Sequence, residues 1–159
     1  MKRLSVIVLF LSAFLSNFFS GQHSAANANQ KDIDLQDCQI MVIFARVWKY
    51  SPLVEKERAV WIVLNSENGY QAIDWLHTPQ RRITIWSDSL PEGVVAQAHT
   101  HGDRLDPKPS SQDISVARSL KIPIFTLTRK GIWRAMPDGS VIQETGRGWF
   151  NKSKEVCGQ

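Results

Sequence analysis

The sequence predicts a single mixed domain of the α/β (mixed α+β) class, in which strands and helices share one core. Short apolar runs of strand length alternate along the chain with segments that have a helical pattern. With 159 residues, of which 43% are apolar, the chain is long enough to build one core and too short for two. Neither a repeat nor a low-complexity segment interrupts this alternation.

The first 28 residues have the pattern of a secretory signal peptide. Residues 1–3 (Met-Lys-Arg) precede an apolar stretch at 4–19, and residues 26–28 (Ala-Asn-Ala) have the small-x-small pattern of a cleavage site. The apolar stretch is short for a spanning helix and contains polar residues, which favours a cleaved signal peptide. An uncleaved membrane anchor is the alternative. We expect bacterial export to the periplasm or the medium, with a single mature domain at 29–159 and no stable membrane association.

The mature chain begins with a predicted helix and a hairpin. Residues 35–50 have apolar positions dense enough for a buried helix, and Ser51-Pro52 ends it. Residues 59–64 form a continuous apolar run suited to a buried strand. A hairpin turn at 66–69 then leads to a returning strand at 70–75.

The second half of the chain predicts further strands around one helix. A turn about Pro137-Asp138-Gly139 indicates a second hairpin, and the tail from Gly146 onward has no regular pattern. The predicted elements are, in order, a strand at 82–86, a strand at 93–98, a helix at 111–120, a strand at 122–128 and the second hairpin.

The most informative segment is HTHGDRLDPKPSSQD at 99–113. His99 and His101 follow a predicted strand two residues apart, so both side chains point to the same side. Asp113 lies at the start of the next helix, where its carboxylate can supply a third ligand. Two histidines and one carboxylate leave a position for water, which is typical of catalytic zinc.

Each part of this segment also has an interpretation without a metal. A histidine on a strand is often only a solvated side chain, and His-x-His spacing arises by chance in some proteins. Ser110, Ser111 or Asp113 would each suit the N-cap of the predicted helix. Capping and ligation are compatible, because a helix start can hold a carboxylate in a fixed direction.

These residues resemble the JAMM signature of the JAB/MPN zinc metalloproteases, which is His-x-His, seven residues, Ser, two residues and Asp. The spacer here is eight residues, and Gly102 stands where a proline often follows the second histidine. The resemblance covers about 35–145 and extends to a secreted, toxin-associated bacterial branch of unknown function. It implies a JAB/MPN-like fold with a cytidine-deaminase-like central mixed sheet flanked by helices, and Zn²⁺ held by His99, His101 and Asp113.

The resemblance also implies two catalytic residues. Glu57 stands directly before the strand at 59–64, where the family places its general base, and Glu55 is the alternative. Ser110 matches the serine that hydrogen-bonds near the developing oxyanion, with Ser111 as a stand-in because of the longer spacer. The implied activity is that of an exported zinc-dependent amide hydrolase, a peptidase or isopeptidase. Its substrate would be a peptide or protein, with cell-wall peptides among the candidates.

Other functions remain open at this point. The first alternative is a non-catalytic MPN-like module that binds a metal or a protein, but retention of all the ligands favours the enzyme. A further alternative is an exported toxin or toxin-neutralising partner, and its only support is the resemblance to the toxin-associated bacterial branch. A nucleobase deaminase is disfavoured, because the chain lacks a His-x-Glu with a paired Cys-x-x-Cys.

Cysteine content and charge limit the partners. Cys38 and Cys157 are the only cysteines, and in an oxidising compartment such a pair is expected to form a structural disulfide. The net charge is +4, and about +2 would remain after Lys2 and Arg3 leave with the signal peptide. Basic residues are scattered without a stripe of interleaved aromatics, so nucleic acid is not indicated. The sequence does not predict the oligomeric state.

Overall fold

One mixed sheet forms the centre of the fold. The computed structural model describes residues 32–49, 57–75, 89–102 and 105–158. Within these ranges the strands are β1 (Ala59–Leu64), β2 (Tyr70–Asp74), β3 (Val94–Thr100), β4 (Ile124–Thr128), β5 (Gly131–Ala135) and β6 (Val141–Thr145). They lie in the order β2-β1-β3-β4-β5-β6, in which only the β3–β4 pair is parallel.

Helices flank the sheet on both faces. The described helices are α1 (Cys38–Lys49), α2 (Ser111–Leu120) and α3 (Trp149–Val156). On one face, α1 and α3 pack together, and Phe44 of α1 contacts Phe125 of β4 with 5.1 Å between ring centroids. On the other face, α2 packs against β4 and β5 around the fully buried Ala117. The mixed class predicted from the sequence is therefore confirmed.

The first helix begins later than the sequence predicts. A turn precedes α1, in which the Asp37 amide donates to the Asp34 carbonyl at 3.1 Å. The Asp37 side chain then accepts a hydrogen bond from the Gln39 amide at 2.9 Å, as expected of an acidic residue at a helix start. The buried residues of α1 recur every three or four positions, which is the pattern of a helix with one apolar face. They are Ile40, Met41, Ile43, Phe44 and Val47.

The prediction of an irregular tail is wrong, because part of it forms α3. Trp149 begins this helix and is 2% exposed, and its indole Nε1 donates to the carbonyl of Thr128 at 2.8 Å. At the other end Cys157 is bonded to Cys38 as predicted, with 5.1 Å between the Cα atoms. Tertiary packing and this cross-link therefore stabilise a short helix whose local pattern is weak.

Several sequence predictions concern parts of the chain outside the described residues. They are the signal peptide at 1–28, the end of the first helix at Ser51-Pro52 and the strand at 82–86. None of the helices in the described part of the chain is long and apolar enough to cross a bilayer. The disulfide is typical of proteins in oxidising compartments, such as the periplasm or the extracellular space.

Candidate metal centre

The end of β3 and the start of α2 bring three potential metal ligands together. The Nε2 atoms of His99 and His101 are 3.0 Å apart. The carboxylate of Asp113 lies 3.6 Å from His99 Nε2 through Oδ1 and 4.0 Å from His101 Nε2 through Oδ2. Because zinc–ligand bonds are about 2 Å long, atoms at these separations can share one ion. The His99-His101-Asp113 group could thus hold a metal ion, as the spacing predicts.

Hydrogen bonds on the far side of each ring determine which histidine nitrogen faces the centre. His99 Nδ1 lies 3.1 Å from Gln97 Oε1, and His101 Nδ1 lies 2.7 Å from the carbonyl oxygen of Asp106. Both partners are acceptors, so each ring donates its Nδ1 hydrogen outward. The lone pair of each Nε2 is left to face the other ring, which is the orientation that a ligating histidine requires.

This arrangement is suited to a cation. Two lone pairs that face each other at 3.0 Å repel unless positive charge lies between them. Burial lowers the pKa of His99 to about 4, and the nearby carboxylate of Asp113 offsets part of this lowering. A neutral His99 ring near pH 7 is the protonation state that binds a metal. The donor set therefore fits zinc.

A capping box orients the carboxylate of Asp113. Ser110 is the N-cap of α2, and its hydroxyl accepts a hydrogen bond from the Asp113 amide at 3.2 Å. In return, Asp113 Oδ2 accepts hydrogen bonds from the Ser110 amide and hydroxyl, each at 2.7 Å. This reciprocal capping satisfies donors that a helix start leaves unpaired. It also holds the carboxylate of Asp113 beside the two imidazoles.

The described part of the loop between the histidines and α2, residues 105–110, is held against the sheet. Besides the contact of His101 with Asp106, the hydroxyl of Thr126 in β4 donates to the carbonyl of Pro107 at 2.9 Å. Asp106 Oδ1 in turn accepts from the Lys108 amide at 3.0 Å. The eight-residue spacer is thus compatible with the ligand grouping, because Asp113 still reaches both histidines.

Strand register brings Glu57 to the same side of the sheet as the histidines. Ala59 in β1 lies opposite His99 in β3, so continuing this antiparallel register by two residues brings Glu57 next to His101. Two hydrogen bonds hold the strands together at this point: the Thr100 amide donates to the Arg58 carbonyl at 2.9 Å, and the Arg58 amide donates to the Thr100 hydroxyl at 3.0 Å. Burial raises the pKa of the Glu57 carboxyl. His101 lowers this pKa and Asp113 raises it, each to a smaller extent than burial does.

A cleft of about 590 Å³ opens beside these residues. Glu57 and the three potential ligands line one part of it. Trp61 and Trp75 form an aromatic wall in the cleft, with 5.0 Å between their ring centroids. Val116 of α2 and Ile124 of β4 add further apolar surface. The described cleft therefore combines a polar corner with an apolar wall.

Other candidates from the sequence take different positions. Ser111 is exposed at the first position of α2 and lines the cleft. Glu55 lies outside the described residues. Sequence reasoning missed the contact of Gln97 with His99. The only signal for Gln97 is its position two residues before His99, on the same face of the strand.

In comparisons with known proteins, no family model, no curated protein and no solved structure matches this chain.

Proposed function

We propose that this protein is an exported zinc-dependent amide hydrolase with a JAMM-type site in a JAB/MPN-like fold. The observation that carries the proposal is the convergence of the two imidazole Nε2 atoms beside the carboxylate of Asp113, with Glu57 in the same cleft. Three protein ligands are the usual number in catalytic zinc sites, whereas structural sites use four. The open cleft next to the ligands gives a substrate access to the centre.

The chemistry needs both a metal and a base. A zinc ion bound here would act as a Lewis acid, lowering the pKa of a water molecule and polarising the substrate carbonyl. Glu57 would accept the proton of the attacking water and deliver it to the leaving amine. The raised pKa of its carboxyl suits this role, because a stronger base accepts the proton more readily near neutral pH.

Ser110 would act first as an orienting residue. A hydroxyl has one hydrogen, and the Ser110 hydroxyl donates it to Asp113 Oδ2 at 2.7 Å. This contact fixes the direction of a ligand that the metal needs. The contact with a developing oxyanion, which the resemblance implies for Ser110, requires its hydroxyl to turn away from Asp113 and stays a prediction.

The cleft suggests the kind of amide that is cleaved. The apolar wall of Trp61 and Trp75 can hold an aliphatic or aromatic group next to the centre. A peptide with such a side chain next to the cleaved bond would fit this surface. In an exported protein, cell-wall peptides and secreted proteins are the substrates we propose.

The test uses purified mature protein loaded with zinc and incubated with peptide libraries and cell-wall fragments. We expect cleavage products in mass spectrometry, and a loss of at least about 100-fold in rate for Glu57→Gln with zinc still bound. Glu55→Gln, two residues earlier, is the matched control and should keep its activity. If only Glu55→Gln is inactive, the base is assigned to the wrong residue. Bound zinc without cleavage of any probe would instead favour the non-catalytic binding module.

A further inference from the structure

A second cavity of about 240 Å³ lies at the end of the sheet where β3 leads into the loop that follows the histidines. Three of the residues that line it are cationic: Arg129, Lys130 and Arg147. Gly102 and Pro107 line another part of it, and none of its described lining residues is acidic. We refer to this cavity as the cationic pocket.

The first two cations belong to a tight turn. Arg129 and Lys130 connect β4 to β5, and the turn is held through the side chain of Thr128. The Thr128 hydroxyl donates to the Gly131 carbonyl at 2.9 Å and accepts from the Lys130 amide at 3.1 Å. A buried side chain thus fixes the backbone that carries both charges.

The third cation comes from a separate turn that packs against the first. Arg147 lies between β6 and α3, two residues before Trp149, which donates to the Thr128 carbonyl at 2.8 Å. Gly131 has a φ of 144°, and a Cβ at this position would clash with the carbonyl oxygen of Thr145. The absence of a side chain therefore allows the turn that carries Arg147 to approach β5 closely.

The cationic pocket adjoins the candidate metal centre. Gly102 directly follows the potential ligand His101, and Leu105 lines both cavities. The strands β3 and β4 are parallel neighbours, so both regions lie at their carboxyl ends. Ligands of sheet proteins commonly bind in crevices at this end of parallel strands.

We propose that the cationic pocket binds a carboxylate of the substrate, next to the amide that is cleaved. The inference rests on the proposed function, because that function identifies the anion. A cationic pocket could bind a carboxylate or a phosphate, and a peptide substrate carries carboxylates. Arginine offers a fork of donors that matches a carboxylate, and lysine adds a point charge. The carboxylate belongs either to the C-terminus of the peptide or to an acidic side chain.

The test measures binding and does not depend on cleavage. Peptides of one sequence would end in a carboxylate or a carboxamide, and a third peptide would have a glutamate side chain and a carboxamide end. Each is titrated into ¹⁵N-labelled mature protein, and the amide signals of Gly102 and Lys130 are followed. We expect at least about threefold tighter binding of a carboxylate-bearing peptide than of the neutral one. Whichever acidic peptide gains affinity identifies the source of the carboxylate.

Variants separate the cationic pocket from general charge attraction. Arg147→Gln and Lys130→Gln should each remove most of the preference for the carboxylate, with well-dispersed spectra that show an intact fold. Lys154→Gln on α3, outside the cationic pocket, is the matched control and should keep the preference. Equal affinity for the acid and the amide, no shift at Gly102 and Lys130, or an equal loss in Lys154→Gln would overturn the inference. If the pocket inference fails but peptides are cleaved, the proposed function still stands. If the protein prefers carboxylates but cleaves no peptide, the proposed hydrolase activity is contradicted and the pocket inference is not.

Discussion

A buried neutral imidazole makes the metal-free protein sensitive to acid. The pKa of His99 is about 4 in the folded chain, against an ordinary value of 6.5. The unfolded chain therefore takes up a proton in a pH range where the folded chain does not, so acid favours unfolding. We expect the contribution of His99 to the free energy of unfolding to be intact above about pH 6.5 and lost progressively toward pH 4.

Chemical denaturation at a series of pH values, with a chelator present, measures this effect. The His99→Gln variant removes the titrating ring and should lose this part of the pH slope. An unchanged slope in the variant would mean that other groups cause the acid sensitivity.

At the residue scale, the sequence predicts the potential ligands better than the residues that orient them. Two histidines on one strand face and an aspartate at a helix start follow from spacing alone, and the structure groups them. The acceptor for His101 is the backbone carbonyl of Asp106, and every residue type offers such a carbonyl. The residue type therefore gives no signal for this contact, which depends on how the loop folds.

At the scale of single elements, the start of α2 has two functions. Ser110→Ala removes the N-cap and leaves Asp113 without its hydroxyl donor. We expect a loss of about 1 kcal/mol in the free energy of unfolding. We also expect about tenfold weaker zinc binding, because an orienting partner of a ligand is lost. Denaturation and a competitive zinc titration measure the two effects.

The neighbouring serine provides the control for this variant. Ser111 is exposed at the first helical position, and Ser111→Ala should change neither quantity by much. Equal effects of the two substitutions would show that the capping box does not orient Asp113.

The prediction failed most clearly for α3, and the reason is physical. Eight residues are too few for a helix to be stable in water, and two glycines precede it, so the local pattern favours an irregular tail. Its stability comes from the burial of Trp149 and from contact with α1, including an edge-on contact of Trp149 with Trp48 at 5.9 Å. Contacts between distant segments do not appear in a local pattern. By contrast, β1 was predicted correctly because its burial is visible as one continuous apolar run.

At the scale of the whole molecule, the disulfide joins the two ends of the described domain. The bond between Cys38 and Cys157 spans 119 residues and links α1 to the end of α3. In the chain-entropy model, a cross-link of this span stabilises the fold by up to about 4–5 kcal/mol. We expect the Cys38→Ala/Cys157→Ala double variant to lose a large part of this stability. Denaturation curves with and without reductant measure it, and an equal midpoint in the parent protein and the variant would contradict the prediction.

Zinc binding by the purified protein tests the central claim most directly. Metal analysis and calorimetric titration should find about one zinc per chain, and Asp113→Asn should lose it because one of the three ligands becomes a weaker neutral donor. Asp138→Asn, an exposed aspartate in the β5–β6 hairpin, should bind zinc like the parent protein. One zinc per chain that depends on Asp113 is the result we predict; no retained zinc, or undiminished binding in Asp113→Asn, would contradict it.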